Sequence, residues 1–196
     1  MMVTDMTHYE GVFSLEPQRH RPLFKLVDQL GAIVKAATVA HAGEVVATGI
    51  PCNRRPGRRL CLGFVLVERE EVPPAINWSC AECRDSGVIR NFRGTIWDLT
   101  PKGAPTDWRG EWREVHLSPN EYEAVRELKI ADPDSERTVY AANRRGGLMV
   151  IACNEDELAH LAGLVADEAG AEADRRRRAD PNAVFDRIND ALGPPF

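Results

Sequence analysis

The sequence predicts an α+β fold with an N-terminal helix, an antiparallel β ribbon in the middle and a C-terminal α/β unit with helices. Three observations lead to this prediction. Apolar residues recur at helical spacing near the start, short runs of strand-forming residues alternate with turns in the middle, and helix-start signals are concentrated in the last third. Because strands and helices are largely segregated along the chain, antiparallel sheets are favoured over a parallel sheet.

The length and composition are those of a folded protein. The chain has 196 residues, of which 43% are hydrophobic, so it is long enough to bury a core. We find neither a signal-peptide pattern nor an apolar run of the roughly 18 residues that a membrane span needs. We therefore expect a cytoplasmic protein without membrane contact, in which cysteines serve metal binding, catalysis or burial rather than disulfides.

The first predicted segment, residues 1–45, contains a leader and a helix. Residues 1–15 read as a loose polar leader, and Pro17 and Pro22 suit the first turn of a helix. An amphipathic helix is expected over about residues 22–40. Its apolar positions are Leu23, Phe24, Val27, Leu30, Ile33, Val34 and Ala37.

The second predicted segment, residues 46–103, consists of short strands and turns. Residues typical of strands are separated by glycine, proline and polar residues, which indicates hairpins. The expected strand positions are 60–67, 76–78, 88–89 and 95–99. Residues 101–110 are crowded with proline and glycine and are expected to form a linker.

The third predicted segment, residues 111–196, begins with a strand at residues 112–117. Ser118, Pro119 and Glu121 then combine a serine N-cap, a proline at the first helical position and a glutamate at the third, which predicts a helix to about Leu128. Polar residues 132–135 are expected to end this helix. Two strands, at residues 138–141 and Leu148–Cys153, should follow, with a turn at residues 143–147 between them.

Two more helices are expected at the end of the chain. Asn154 repeats the capping pattern before a stripe of apolar residues, and Asp180 followed by Pro181 starts another helix that ends before Gly193. The C-terminal segment therefore reads as strand, helix, two strands and two helices.

Four of the five cysteines, Cys52, Cys61, Cys80 and Cys83, lie within 32 residues of one another. Their spacing is Cys-x8-Cys, then 18 residues, then Cys-x2-Cys. A tetrahedral zinc ion with thiolate ligands at about 2.3 Å requires two such pairs brought together by turns. We therefore predict one bound Zn²⁺ with these four ligands.

The cysteine pattern has two other interpretations. They can be buried cysteines in a sheet, or Cys80 and Cys83 can form a redox pair, since Trp78-x-Cys80-x-x-Cys83 superficially resembles thioredoxin-like sites. A redox pair of that kind lies at a helix N-terminus, whereas residues 85–87, Asp-Ser-Gly, favour a turn. Clustering of the four cysteines favours metal binding.

Residues 50–100 resemble the zinc ribbon of a group of uncharacterised bacterial proteins, which implies an antiparallel β zinc ribbon here. The shared skeleton comprises Pro51-Cys52, Gly57-Arg58-Arg59, Cys61-x-Gly63, Ile76-x-Trp78-x-Cys80-x-x-Cys83, Gly87-Val88-Ile89 and Trp97-Asp98-Leu99. Cys52 and Cys61 also resemble the inner pair of the SEC-C zinc motif. Because Ile50 and Leu62 occupy the positions of its outer ligands, the resemblance assigns the remaining two ligands to Cys80 and Cys83.

The loop between Cys52 and Cys61 carries four arginines, Arg54, Arg55, Arg58 and Arg59. They can offset the net charge of −2 of four thiolates around Zn²⁺, or they can bind the phosphates of a nucleic acid. Residues 51–110 are the only net basic third of the chain, with ten basic and seven acidic residues. The overall charge of −5 excludes a strongly basic, non-specific nucleic-acid binder.

The other candidate residues show no pattern that assigns them a site. Cys153 is expected in the core, the run at residues 175–178 is expected on a solvated surface, and the histidines show no metal spacing, although His41 is a spare ligand near the loop. No catalytic motif is present, so an enzyme is not indicated.

Two classes of function remain. The first is a protein-interaction module in which zinc is a scaffold, and the alternative is a nucleic-acid-binding regulatory protein that uses the four arginines. For the second class, Arg90 and Arg93 are expected to contact phosphate, and Phe92 and Trp97 beside them are expected to be exposed and to stack on bases.

Overall fold

A computed structural model of the chain describes residues 2–100, 113–128, 132–171 and 181–192. The chain divides into two compact units, unit 1 at Met1–Pro101 and unit 2 at Lys102–Phe196. Both combine helices with mainly antiparallel sheets, so the predicted α+β class is confirmed. The first two predicted segments, residues 1–45 and 46–103, contribute elements to the same unit, whereas residues 111–196 lie within unit 2.

Unit 1 is built on a five-stranded sheet with the order β1-β5-β4-β3-β2. β1 runs parallel to β5, and all other neighbouring strands are antiparallel. Apolar side chains on β3, β4 and β5 point alternately into the core, as expected for strands with one covered face. The five strands are β1 (Met2–Asp5), β2 (Val45–Pro51), β3 (Phe64–Glu71), β4 (Pro74–Cys80) and β5 (Ser86–Arg90).

Helix α1 (Arg21–Val39) packs against β2 and β3, and its prediction from apolar periodicity is confirmed. Pro22 lies in its first turn, where a missing N–H costs nothing. Val27, Leu30 and Val34 are almost fully buried on the face toward the sheet. Gln29 donates from Nε2 to the carbonyl of Pro51, 3.0 Å away, and so connects the helix to the end of β2.

The prediction of a loose leader at residues 1–15 is wrong. Met2–Asp5 form an edge strand, and Met6–Ser14 form a 3-10 helix that buries Met6 completely. Asp5 caps this helix by accepting a hydrogen bond from the Thr7 N–H at 3.0 Å. The backbone of Met2–Asp5 pairs with β5, which is distant in the sequence. The sequence of residues 1–15 does not indicate this partner, so the strand could not be predicted from it.

The strand expected at residues 95–99 is also wrong, because this segment forms turns. The N–H of Thr95 donates to the Phe92 carbonyl at 3.2 Å, and that of Asp98 donates to the Thr95 carbonyl at 3.0 Å. Phe92, Trp97 and Leu99 are buried in the core of unit 1. The linker expected at residues 101–110 lies outside the described residues.

Unit 2 contains a three-stranded antiparallel sheet with the order β6-β8-β7, where β6 is Arg113–Leu117, β7 is Asn143–Arg145 and β8 is Leu148–Cys153. Its helices are α2 (Pro119–Arg126), α3 (Pro133–Tyr140), α4 (Glu155–Ala171) and α5 (Pro181–Leu192). One face of the sheet, formed by β6 and β8, and the four helices share one apolar core, which includes Leu117, Val139, Ile151, Leu161 and Ile188.

The capping signals of unit 2 are confirmed. Ser118 and Glu121 form a reciprocal capping box at the start of α2, and Asn154 accepts from the Glu157 N–H at 2.8 Å at the start of α4. The strand expected at residues 138–141 is wrong, because Asp132 caps a helix instead, accepting from the Ser135 N–H at 2.8 Å. Among the described residues, no helix combines the length and apolar character that a membrane span requires.

Candidate metal centre

The antiparallel sheet of unit 1 brings two connections to the same end. The β2–β3 loop comprises residues 52–63, and the β4–β5 turn comprises residues 81–85. Pro51 is paired with Phe64, and Ser79 is paired with Ser86. Because Val65 is paired with Cys80, both connections begin at the same end of the sheet. Because neighbouring antiparallel strands reverse direction, every second connection lies at one end of the sheet.

The four sulfur atoms of Cys52, Cys61, Cys80 and Cys83 all lie within 4.8 Å of one another. The Cys52 and Cys83 sulfurs are 3.6 Å apart, and the Cys61 and Cys80 sulfurs are 3.8 Å apart. Three of these side chains are buried and Cys83 is half-buried. The structure thus brings together the four predicted ligands as a possible metal site, and His41 does not belong to the cluster.

Backbone hydrogen bonds hold the first pair of cysteines in place. The Cys52 N–H donates to the Gly63 carbonyl at 2.8 Å and extends the β2–β3 ladder by one step. The Cys61 N–H donates across the loop to the Arg54 carbonyl at 2.9 Å, which closes the eight-residue loop at its base. Asn53 donates to the Gln29 side chain, so α1 also anchors this loop.

The second pair occupies a tight turn. The Cys80 N–H donates to the Asp85 carbonyl at 2.8 Å, and the Arg84 N–H donates back to the Cys80 carbonyl at 3.0 Å. Arg84 has a φ of 58°, in the left-handed region. Cys80 and Cys83 therefore lie on a turn closed by a hydrogen bond between residues i and i+4, and they lack the helix N-terminus that activates a thioredoxin-like thiol, as the sequence suggested.

Gly63 makes the close packing of the sulfurs possible. A Cβ atom at this position would lie 2.7 Å from the Cys80 sulfur and 2.6 Å from Cγ of Glu82. Real Cβ atoms do not approach other heavy atoms so closely, so a side chain here would displace a ligand sulfur. The sequence shows a glycine in the motif Cys61-x-Gly63, but it does not show that this glycine packs against the Cys80 sulfur.

The thiols have displaced pKa values. Burial raises the pKa of Cys52 to about 12. At Cys61 the Gly63 N–H lowers the pKa, but burial and the thiols of Cys80 and Cys83 raise it, and the net shift is upward. Burial also raises the pKa of Cys80, but N–H groups of Cys83 and Glu82 outweigh it, and the net shift is downward. Four thiolates this close need a cation to be stable together.

The arginines predicted as phosphate ligands lie around this centre and are all exposed. Arg54 pairs with Asp85, with 3.1 Å between Nε and Oδ2, and so links the β2–β3 loop to the β4–β5 turn. Arg55, Arg58 and Arg59 have no ion pair within the described ranges of the chain. Asp85 was missed as a partner because the sequence alone does not show which arginine it meets.

The predicted stacking surface is wrong. Phe92 is fully buried and Trp97 is 4% exposed, so neither ring is available to a base. Arg93 forms an ion pair with Glu71. An aromatic residue in a turn has no periodicity that would reveal which face it occupies, and here both rings complete the core of unit 1.

The fifth cysteine is distant in sequence from the four candidate ligands. Cys153 is fully buried in the core of unit 2, where burial raises its pKa to about 11, as expected for a core cysteine. The basic run at residues 175–178 lies outside the described residues.

Comparisons with protein-family models, with curated proteins and with solved structures give no match for this chain. The resemblance to bacterial zinc ribbons and to the SEC-C spacing therefore stays a prediction. The chemistry of the site follows from its donors, which are four sulfur atoms without a carboxylate or an imidazole.

Proposed function

We propose that this chain is a non-enzymatic protein-interaction module in which one structural Zn²⁺, bound by Cys52, Cys61, Cys80 and Cys83, fixes the shape of the surface formed by the two connections. The observation that carries the proposal is the convergence of four sulfur atoms, from two separate connections, within 4.8 Å. Zinc bound by four protein ligands is closed to substrate, which is typical of structural rather than catalytic sites.

The distances fit a tetrahedral ion bound by four sulfur atoms. In a regular tetrahedron with metal–sulfur bonds of about 2.3 Å, neighbouring sulfurs are about 3.8 Å apart. The two close pairs here are 3.6 and 3.8 Å apart. Iron is the other metal that takes four cysteine ligands in tetrahedral geometry, and its visible absorption distinguishes it from colourless zinc. Because thiolate ligands must stay reduced, we place the protein in the cytoplasm.

The role of the ion is to join segments that are distant in sequence. Cys52 and Cys83 are 31 residues apart, and their side chains meet only when both connections are folded. Most of the β2–β3 loop side chains are exposed and bury no core of their own, so metal coordination supplies stability that packing does not. The ion thereby presents a rigid surface to a partner.

Nucleic-acid binding is the second candidate, supported by the exposed Arg55, Arg58 and Arg59. The burial of Phe92 and Trp97 removes the aromatic platform that this candidate relied on. A protein partner is favoured because exposed apolar side chains accompany the arginines, as described below.

Metal analysis of untagged protein tests the proposal. After purification without chelators, mass spectrometry of the native protein and elemental analysis should both give one zinc per chain, with no absorption band between 300 and 600 nm. A folded, metal-free chain with four reactive thiols in unit 1 would refute the proposal, as would stoichiometric iron.

A further inference from the structure

Two large apolar side chains flank a candidate ligand and point away from the core. Leu60 is 54% exposed and Leu62 is 85% exposed, whereas Cys61 between them is 8% exposed. Cys61 turns inward to the sulfur cluster, and the leucines on both sides of it turn outward. The two leucines thus leave an apolar surface next to the site.

The segment that carries these leucines is held by several hydrogen bonds. The Arg58 N–H donates to the Arg55 carbonyl at 3.1 Å, and the Arg59 N–H donates to the Pro56 carbonyl at 3.2 Å. Gly57 and Arg58 both adopt left-handed backbone conformations, with φ of 59° and 67°. A loop that is already ordered loses little conformational entropy on binding a partner.

Positive charge surrounds the two leucines. Arg55, Arg58, Arg59 and Arg84 are exposed and have no ion pair in the part of the chain that the structure describes. Asp85 is already engaged by Arg54, and Glu82 is the other acidic residue of the β4–β5 turn. The surface formed by Arg55, Arg58, Arg59, Leu60, Leu62 and Arg84, here called the docking surface, is thus basic with an apolar centre.

We infer that the docking surface binds an acidic peptide segment of another protein in which aspartate or glutamate residues flank leucine-like side chains. This inference rests on the proposed function and specifies its partner. Acidic groups match the four arginines, and an apolar side chain covers Leu60 and Leu62, which a nucleic-acid backbone does not do. Charge steers the encounter, and apolar contact lowers the dissociation rate.

A peptide-display selection on the intact, zinc-loaded chain tests the inference. The probe is a library of random 12-residue peptides, and the best selected peptide is then labelled with fluorescein and titrated by anisotropy. Selected peptides should be enriched in both acidic and large aliphatic residues. Arg58→Glu with Arg59→Glu should weaken binding at least about tenfold and flatten its salt dependence. Leu62→Ser should weaken binding about tenfold without changing the salt dependence.

Two controls carry a charge reversal and an apolar-to-serine change elsewhere in unit 1. Arg21→Glu reverses an exposed charge at the start of α1, and Val72→Ser removes an apolar side chain that is 93% exposed in the β3–β4 connection. Both should leave peptide affinity unchanged within about twofold. The metal content of every variant is measured first, so that a change in binding is not caused by loss of the ion.

The outcomes separate this inference from the proposed function. If the chain holds one zinc but the selection yields no peptide, or yields peptides without acidic enrichment or equally bound by the variants, the inference is wrong and the zinc site stands. If a fluorescein-labelled 20-nucleotide RNA or DNA binds more tightly than any peptide, and Leu62→Ser leaves it unaffected, the surface is a nucleic-acid site. If the chain is metal-free yet binds acidic peptides as described, the docking surface stands and the zinc scaffold does not.

Discussion

Gly31 of α1 and the indole of Trp97 are in direct contact: a Cβ atom at residue 31 would lie 2.4 Å from Cδ1 and 2.5 Å from Nε1 of the ring. The helix therefore approaches the segment after β5 as closely as a backbone can. Trp97 is 4% exposed, and the Phe13 ring lies beside it, with the two ring centres 5.9 Å apart. Trp97 therefore connects the N-terminal 3-10 helix, α1 and the segment after β5.

Gly31→Ala should destabilise unit 1 by about 1–2 kcal/mol. The overlap of the new methyl group with the indole costs about 1–3 kcal/mol, and the better helix propensity of alanine returns up to about 1 kcal/mol. The measurement is urea unfolding followed by tryptophan fluorescence.

The matched control for that substitution is Gly163→Ala, at a position of α4 where a Cβ meets nothing within 4 Å. There the propensity gain acts alone, so hydrogen exchange of the α4 amides should show a stabilisation of about 0.5–1 kcal/mol. Equal stabilisation at both positions would contradict the close packing of Gly31.

Gly63→Ala should weaken zinc binding about 10-fold to 100-fold, the range typical of changes next to metal ligands. The new Cβ would overlap the Cys80 sulfur at 2.7 Å, and although Glu82 can turn away, the sulfur is held by its backbone. Competition with a chromophoric chelator measures the affinity. Gly11→Ala, where a Cβ meets nothing within 4 Å, is the control and should bind zinc as the parent does.

Cys80→Ser should lose the metal and unfold unit 1, because structural zinc contributes on the order of 10 kcal/mol in small zinc domains. Unit 2 has its own apolar core, so far-UV circular dichroism should retain a helical signal while the near-UV signal of Trp78 and Trp97 disappears. Elemental analysis and both spectra are compared with those of the parent.

Cys153→Ala is the control for the loss of one thiol, because Cys153 lies in the core of unit 2. It should keep one zinc per chain and lose about 1–2 kcal/mol of stability in unit 2 alone. Loss of metal in this variant, or its retention in Cys80→Ser, would contradict the assignment of the four ligands.

The stability of unit 2 should fall at low pH through Glu121. Burial raises the pKa of this carboxyl, but hydrogen bonds from Ser118 and the guanidinium of Arg187, 2.8 Å away, outweigh burial and lower it. A lowered folded-state pKa stabilises above the unfolded value of about 4.3, and this stability is lost as pH falls through the folded-state pKa.

Glu121→Gln should therefore cost about 1 kcal/mol at pH 7 and make unit 2 less sensitive to acid as the pH falls below the unfolded-state value of about 4.3. Exchange of the α2 amides at several pH values measures this. Asp190→Asn, at an exposed position of α5, should leave the pH dependence of the parent intact. An unchanged acid sensitivity in Glu121→Gln would argue against the role of this carboxyl.

The features that the sequence predicted depend on neighbours along the chain. The periodicity of α1, the capping box of Ser118 and Glu121, and the clustering of four cysteines are all visible within short windows. The four candidate metal ligands extend over 32 residues, which is longer than the other windows. Their spacing still indicates a cluster, because cysteine is a rare residue.

The features that the sequence did not predict depend on distant partners. β1 is a strand because β5 lies beside it, and Trp97 is buried against Gly31 of α1. The segment 138–141 contains residue types that suit a strand. The Asp132 cap and the packing of Val139 in the core of unit 2 nevertheless make it helical. Tertiary contacts decided each of these cases.

During synthesis, β1 is made long before β5, the strand with which it pairs in parallel. Met2 pairs with Gly87, and a ribosome that adds roughly 5–20 residues per second needs about 4–17 s to make the chain between them. By then the four cysteines and almost all of β2 to β5 have been synthesised, so a nascent chain contains its candidate metal ligands before β1 has a place in the sheet.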